Sequence, residues 1–320
     1  MRCLVTGGAG FIGRHLAKRL AELGHDVAIF DLRSSKESFG PGITYYYRDI
    51  TQPRLHDFRS DWVFHLAALA DIVPSIERPL SYHRANVDGT VNVLDHCVRL
   101  GAKKLVYASS TSVYGTPNEF PTPETAACNP CYPYALTKHI AEQYVMHWGK
   151  VYKLPVISLR ITTAYGPGMS VSAGGYGSAI KVFMAQKAHG APYTVIGDGS
   201  QSRDFVFVDD VVEAFIKAAE SGVRGEIFNV GSGKPTTIKR LLEILGDSDN
   251  IVHLPRRPGE PDMTWADITK IGQALGWIPK VTLEEGIDAM LSKLSEWNEV
   301  KVWSKEAIIE ATAKWNEALT

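Results

Sequence analysis

Three glycines place the strongest constraint on this chain. Thr6-Gly7-Gly8-Ala9-Gly10-Phe11-Ile12-Gly13 joins a short apolar run, Arg2–Thr6, to a stretch of helical periodicity, Phe11–Leu23. The apolar stripe of that stretch is Phe11, Ile12, Leu16, Leu20 and Leu23. Gly7, Gly10 and Gly13 recur every third residue. Missing side chains at these positions permit a tight strand-to-helix turn, close approach of a pyrophosphate and close helix–strand packing. The helix start then turns free N–H groups and a positive dipole end toward that pyrophosphate. A plain strand–helix turn would not require three glycines in this register.

The rhythm continues through the first half. Val27–Phe30, Ile43–Tyr47, Trp62–Leu66, Lys104–Ala108 and Pro155–Leu159 read as strands, with helices at about Tyr82–Leu100 and Tyr134–Val151 between them. Such alternation predicts an α/β fold: a Rossmann-type doubly wound parallel sheet covered on both faces. Beyond Tyr165 glycine and proline cluster up to Gly177, and shorter elements follow, with helices expected at Ala179–His189, Val208–Ser221 and Ile238–Leu245. Residues 1–165 are therefore expected to form an NAD-binding domain and 166–320 a smaller C-terminal α/β substrate domain. The boundary is soft, because the strand Ile227–Val230 can rejoin the first sheet. Ser304–Leu319 reads as an added amphipathic helix, with Ile308, Ile309, Ala313 and Trp315 available for packing.

Asp31 follows the second strand, 18 residues after Gly13. A carboxylate there accepts hydrogen bonds from the adenosine ribose hydroxyls and repels a 2′-phosphate, which favours NAD over NADP; Arg33 is the counter-argument. Asp49 and Ile50 end the third strand and either meet the adenine edge or begin a helix as a cap region.

Composition excludes several classes. The chain has 320 residues, 45% hydrophobic and 22% charged, with a formal net charge of −1. No basic excess points to nucleic acid. No apolar run reaches the ~18 residues of a membrane span, and the opening strand runs into a glycine loop rather than a signal peptide. Four cysteines, Cys3, Cys97, Cys128 and Cys131, suit a reduced cytoplasmic setting. Cys128-Asn-Pro-Cys131 lacks the second ligand pair of a zinc site, and the ten histidines form no ligand pattern, so no metal is expected.

Tyr134 and Lys138 are four apart, which puts both on one face of a helix. A phenol beside an ammonium can become acidic enough to act as a base. With the glycine loop this suggests hydride transfer to and from a nicotinamide.

The glycine loop, Asp31, His65-Leu66-Ala67-Ala68, Asn86-Val87-Asp88-Gly89-Thr90, Ser109–Gly115, Tyr134–Lys138 and Gln201–Asp210 occur in one order. Together they resemble the extended short-chain dehydrogenase/reductases, specifically the nucleotide-sugar epimerases and dehydratases, over Arg2 to about Met290. The resemblance implies that Gly7, Gly10, Phe11, Ile12, Gly13, Asp31, Asp49, Ile50, Leu66, Ala67 and Ala68 contact the cofactor, with Tyr134 and Lys138. It implies that Tyr134 takes a proton from a sugar hydroxyl, that Lys138 binds the nicotinamide ribose and acidifies Tyr134, and that Ser110 hydrogen-bonds the reacting oxygen. Arg203 and Arg257 match the family's two diphosphate-binding arginines, a chemically sensible pair because each guanidinium can bind bidentately. Thr163 stands where many members have an asparagine that helps bind substrate. Asn86 is either a helix-start residue or a support for the site.

The reaction class rests on absences. The dehydratases carry an Asp-Glu pair after the active Ser or Thr, and the decarboxylases a Glu at the second position; here these are Thr111 and Ser112. Without those acids the simplest chemistry is oxidation and re-reduction at one carbon, which describes an NAD-dependent 4-epimerase of the UDP-glucose/galactose type. The alternatives are an epimerase or oxidoreductase on a GDP- or CDP-linked sugar, or an NAD-binding sensor without catalysis. Ala70 and the Gly-rich loop Ser170–Gly177 depart from the family and leave base and hexose open. The resemblance also implies a homodimer through the helices at Tyr82–Leu100 and Tyr134–Val151, whose Val87, Val91, Leu94, Val98, Ile140, Tyr144 and Trp148 supply apolar surface either for a partner or for the parent sheet.

Overall fold

The computed structural model describes residues 1–33, 39–55, 57–169, 177–246 and 250–319. The first half runs β1 (Arg2–Thr6), α1 (Phe11–Glu22), β2 (Asp26–Asp31), β3 (Ile43–Tyr47), β4 (Trp62–His65), α2 (Ile72–Glu77), α3 (Pro79–His83), a π-helical segment Arg84–Asp88, α4 (Gly89–Leu100), β5 (Lys104–Ser110), α5 (Pro133–Val151) and β6 (Val156–Ile161). It continues with β7 (Thr163–Tyr165), α6 (Ala179–Ala188), β8 (Tyr193–Ile196), β9 (Ser202–Phe207), α7 (Val208–Glu220), β10 (Glu226–Val230), β11 (Pro235–Thr237), α8 (Ile238–Leu245), β12 (Ile251–Leu254), α9 (Thr269–Leu275), α10 (Leu283–Leu291) and α11 (Lys305–Leu319).

Seven strands form one sheet in the order β10-β6-β5-β4-β1-β2-β3. Every pairing in it is parallel. Successive side chains point to opposite faces, so both faces need cover. Leu16, Ala17 and Leu20 of α1 and Phe215 and Ala218 of α7 cover one face. Val93, Leu94 and Cys97 of α4 and Ala141 and Val145 of α5 cover the other. The strand Ile227–Val230 does rejoin this sheet, pairing with β6, and α7 packs on α1. Chain from beyond residue 165 thus completes the larger half.

The rest builds a smaller half around its own core of Phe183, Phe205, Leu241, Leu242, Trp297 and Trp315, with sheets β11-β9-β7 and β12-β8. These strands have three to six residues and pair with partners far away in sequence. Strand order reverses at β1, whose neighbours are β2 and β4. In open α/β sheets ligands bind beyond the carboxyl ends of the strands at such a point.

Several boundaries differ from expectation. The helix expected to begin at Tyr82 begins at Pro79, because proline suits a first helical turn, and it passes through the π-helical segment before α4. On α11 the inward face is Ile308, Thr312 and Trp315, whereas Ile309 and Ala313 are exposed. Spacings of four and three put those three residues on one stripe, and the Thr312 hydroxyl is satisfied by Ile308 O at 2.8 Å. Val87 of the π-helical segment and Leu94 of α4 are buried within this chain, while Val98 of α4 and Tyr144 of α5 are exposed. No helix among the described residues is long and apolar enough to cross a membrane. Residues 170–176 of the Gly-rich loop lie outside the described residues.

Candidate active site

The glycine loop is built as a cradle. Gly7 has φ +72°, and a Cβ there would stand 2.6 Å from Ala67 N. A Cβ on Gly13 would stand 2.2 Å from Gly7 O and 2.7 Å from Gly8 Cα. Gly7 N–H donates to Phe30 O at 2.8 Å, which fixes the turn beside β2. The N-terminus of α1 has no side-chain cap and no acidic residue in its first turn. Its N–H groups and dipole therefore face the cradle without an internal anion. The Asp31 carboxylate accepts from Ala9 N and Arg33 N, both at 2.9 Å. This ties the loop to the end of β2 and leaves lone pairs for hydroxyl donors. The loop and Asp31 fit a dinucleotide.

The turn after β4 closes the cradle's other side. Leu66 N donates to Thr6 O at 3.1 Å and Ala67 N to Thr6 Oγ1 at 3.3 Å. Asp49 lies two residues beyond β3, in a turn where its Oδ1 accepts from Thr51 N at 2.9 Å. No helix begins there among the described residues. Ile50 is buried against Gly89.

Asn86 turns out to be a support. Its Nδ2 donates to Leu69 O and to Thr137 Oγ1, each at 3.0 Å, and its Oδ1 accepts from Leu69 N at 2.8 Å. It sits in the π-helical segment, a form of helix common at functional sites. One buried amide thus ties the loop after β4 to the helix that carries Tyr134 and Lys138.

Tyr134 and Ser110 line one cavity of about 340 Å³ between the two halves, with the Ser110 hydroxyl close enough to act on the Tyr134 phenol. Ser110 Oγ also accepts from Ser112 N at 3.2 Å, capping a short 3-10 turn that holds Thr111 and Ser112 at the cavity wall. Burial raises the Tyr134 hydroxyl above its ordinary value, the Ser110 hydroxyl pulls it down, and the Asp71 carboxylate raises it again.

Lys138 is 4% exposed. Its ammonium donates to Ala108 O and lies 4.4 Å from the centre of the Tyr107 ring. Burial lowers its pKa to about 7, opposed by the Glu142 carboxylate. In the chain alone, burial of the phenol outweighs the pull of the Ser110 hydroxyl and keeps Tyr134 above its ordinary value.

Arg203 on β9, Arg257 and Thr163 on β7 line the same cavity. Burial lowers the pKa of Arg203, with Glu260 opposing and Arg257 adding to the shift, so the two guanidiniums sit within each other's field. Arg257 Nη2 is 3.1 Å from Glu260 Oε1. Tyr132, Asp71 and Glu260 also line the cavity and escaped the sequence reading, and Trp315, expected only to pack, lines it too. For Glu260 a signal existed, an opposite charge three residues after Arg257. Cys128 and Cys131 carry no disulfide. Among the described residues no group of three His, Cys, Asp or Glu side chains is placed to hold a metal.

A parallel sheet with a glycine cradle at its switch point, and a Tyr–Lys–Ser group facing a cleft, defines a nucleotide-dependent redox-type enzyme. The sequence pattern of the NAD-dependent epimerase/dehydratase family matches residues 3–231, and the chain belongs to that family. It is an enzyme of the epimerase type, with NAD as cofactor. It is 35% identical over 305 residues to a UDP-glucose 4-epimerase of Mycolicibacterium smegmatis, covering 90% of this chain and 96% of that one. It is 32% identical over 315 residues to a UDP-N-acetyl-alpha-D-glucosaminuronate decarboxylase of Bacillus cytotoxicus, covering 89% and 95%. The crystal structure of UDP-glucose 4-epimerase with UDP-glucose from Thermotoga maritima superposes with a TM-score of 0.86 at 32% identity, covering 92% of this chain and 99% of that one.

Proposed function

We propose that this chain is an NAD-dependent 4-epimerase of a UDP-hexose of the glucose/galactose type. The larger half, completed by α7 and β10, holds the cofactor through Gly7, Gly10, Phe11, Ile12, Gly13, Asp31, Asp49, Ile50, Leu66, Ala67 and Ala68. The smaller half supplies Arg203 and Arg257 for the diphosphate and Thr163 for the sugar side. The observation that carries the reading is the make-up of the reacting end: Tyr134 and Ser110 on one cavity wall, with the neutral Thr111 and Ser112 beside them.

Bound NAD supplies reversible hydride acceptance at the carbon that bears the reacting hydroxyl. Tyr134 Oη accepts the proton of that hydroxyl and returns it after the sugar has presented its other face, so the net proton count is zero. Ser110 Oγ holds the reacting oxygen in line with Tyr134. Lys138, when charged, favours the phenolate and reaches the nicotinamide ribose. Asp71 and Glu260 are carboxylates that line the cavity, so the product decides between epimerisation and dehydration.

The test is product analysis by NMR with UDP-galactose and NAD. The expected result is a mixture of UDP-glucose and UDP-galactose with no net reduced cofactor. A stable 4-keto-6-deoxy product, or a pentose when UDP-glucuronic acid is supplied instead, sinks the reading. Tyr134→Phe is expected to lower kcat by about 10²- to 10⁴-fold, and undiminished turnover refutes the base. A homodimer through the exposed Val98 and Tyr144 face of α4 and α5 belongs to the same proposal, and a monomer in sedimentation at low micromolar concentration contradicts it.

A further inference from the structure

The reading above leaves α11 without a role. Trp315 on this helix is 1% exposed yet borders the cavity. Its ring centre lies 5.2 Å from that of Tyr132, and its Nε1 donates to Pro258 O at 2.9 Å. One turn further, Leu319 rests against Gly259, where an added Cβ would stand 3.0 Å from Leu319 Cδ1. Pro258 and Gly259 are the two residues between Arg257 and Glu260. On its other side α11 packs against α2, and Lys314 Nζ lies 3.5 Å from Glu77 Oε1. The first residues of α2, Ile72 and Val73, line the cavity too. One helix therefore touches wall segments contributed by both halves of the cleft.

The wall segments it touches lead on to the reacting side. Tyr132 stands two residues before Tyr134, and α2 directly follows Asp71, whose charge reaches Tyr134.

We propose that α11 is a strap that ties α2 to the Arg257 loop across the reacting end of the cavity, and that Trp315 limits the size of the sugar admitted. The inference rests on the nucleotide-sugar reading. A rigid indole at this wall leaves room for a sugar hydroxyl and excludes a bulkier acetamido group.

Two measurements test it. The ratio of kcat/KM for UDP-glucose over UDP-N-acetylglucosamine is compared between the wild type and Trp315→Ala; the ratio is expected to fall by about tenfold or more in the variant. Because removing a buried indole can unfold the protein, hydrogen exchange of the α11 amides is followed in the wild type with UDP-glucose and with UDP. UDP-glucose is expected to protect α11 more than UDP does. An unchanged ratio, or equal protection by the two ligands, overturns the strap alone. A wild type that binds neither ligand overturns the nucleotide-sugar reading and the strap with it.

Discussion

Arg160 Nη2 donates to Glu142 Oε1 at 2.6 Å, and both side chains are buried. Ser158 Oγ donates to Glu142 Oε2 at 2.9 Å, and Arg160 Nη1 to Tyr114 Oη at 2.9 Å. The Glu142 carboxylate is thus fixed one helical turn beyond Lys138, where it opposes the loss of charge that burial imposes on the amine. With its pKa lowered by burial to about 7, Lys138 is expected to lose its charge as pH rises through that region. Glu142→Gln removes the opposing charge, so the proton leaves Lys138 at lower pH. The limb of the kcat/KM profile that falls as Lys138 deprotonates should move toward acid. An unmoved limb would show that Glu142 serves only the packing of Arg160.

Acid should weaken the fold through His65. Its ring bonds to Thr6 Oγ1 at 2.7 Å and Thr90 Oγ1 at 2.9 Å, and burial, helped by the Lys138 charge, lowers its pKa from 6.5 to about 3. Between those values the unfolded chain binds the proton and the folded chain does not, so stability falls as pH falls below 6.5. The expected slope is about 1.4 kcal/mol per pH unit from this residue. Urea unfolding at several pH values measures it. His65→Asn should flatten the slope whatever it does to stability at neutral pH, and an unaltered slope refutes the assignment.

The cradle has no room at its third glycine. In Gly13→Ala the new Cβ meets backbone, Gly7 O at 2.2 Å and Gly8 Cα at 2.7 Å, so the loop itself must shift. Overpacking of this kind costs about 1–3 kcal/mol. Calorimetric titration with NAD should show at least about tenfold weaker binding, equivalent to ~1.4 kcal/mol, with the α/β circular dichroism retained. Wild-type affinity in the variant would mean that the cofactor does not use this loop.

The glycine loop and the Tyr134–Lys138 face were legible because each is a local constraint: a turn that tolerates no Cβ, and two side chains one helical turn apart. The parallel sheet was legible from buried apolar runs, but β8, β9, β11 and β12 were not. Their partners are distant and their cores mixed, so no period marks them. Thr312 took the inward place expected of Ile309 and Ala313, because the register of α11 is set by Trp315 docking on Tyr132 and Pro258. The Glu142–Arg160 pair joins a helix to a strand, and only the packed fold reveals it. The acidifying effect assigned to Lys138 was read from proximity on a helix, without the burial that competes with it.

Asn86 gives the sharpest separation of positioning from chemistry. Its amide satisfies Leu69 N, Leu69 O and Thr137 Oγ1, and Thr137 adjoins Lys138. Asn86→Ala leaves Leu69 N and Leu69 O without their amide partner, while Thr137 Oγ1 keeps Tyr134 O; an unpaired group of this kind costs about 1–3 kcal/mol. The lost clamp also frees the start of α5 relative to the cofactor cradle, and displacement of reacting groups lowers turnover more than binding. The expected outcome is a fall in kcat of about 10²-fold with KM for the sugar nucleotide changed far less. Steady-state kinetics below the variant's melting temperature checks it. Equal loss in kcat and gain in KM would assign Asn86 to substrate contact, and unchanged kinetics with lowered stability would reduce it to a fold-holding residue.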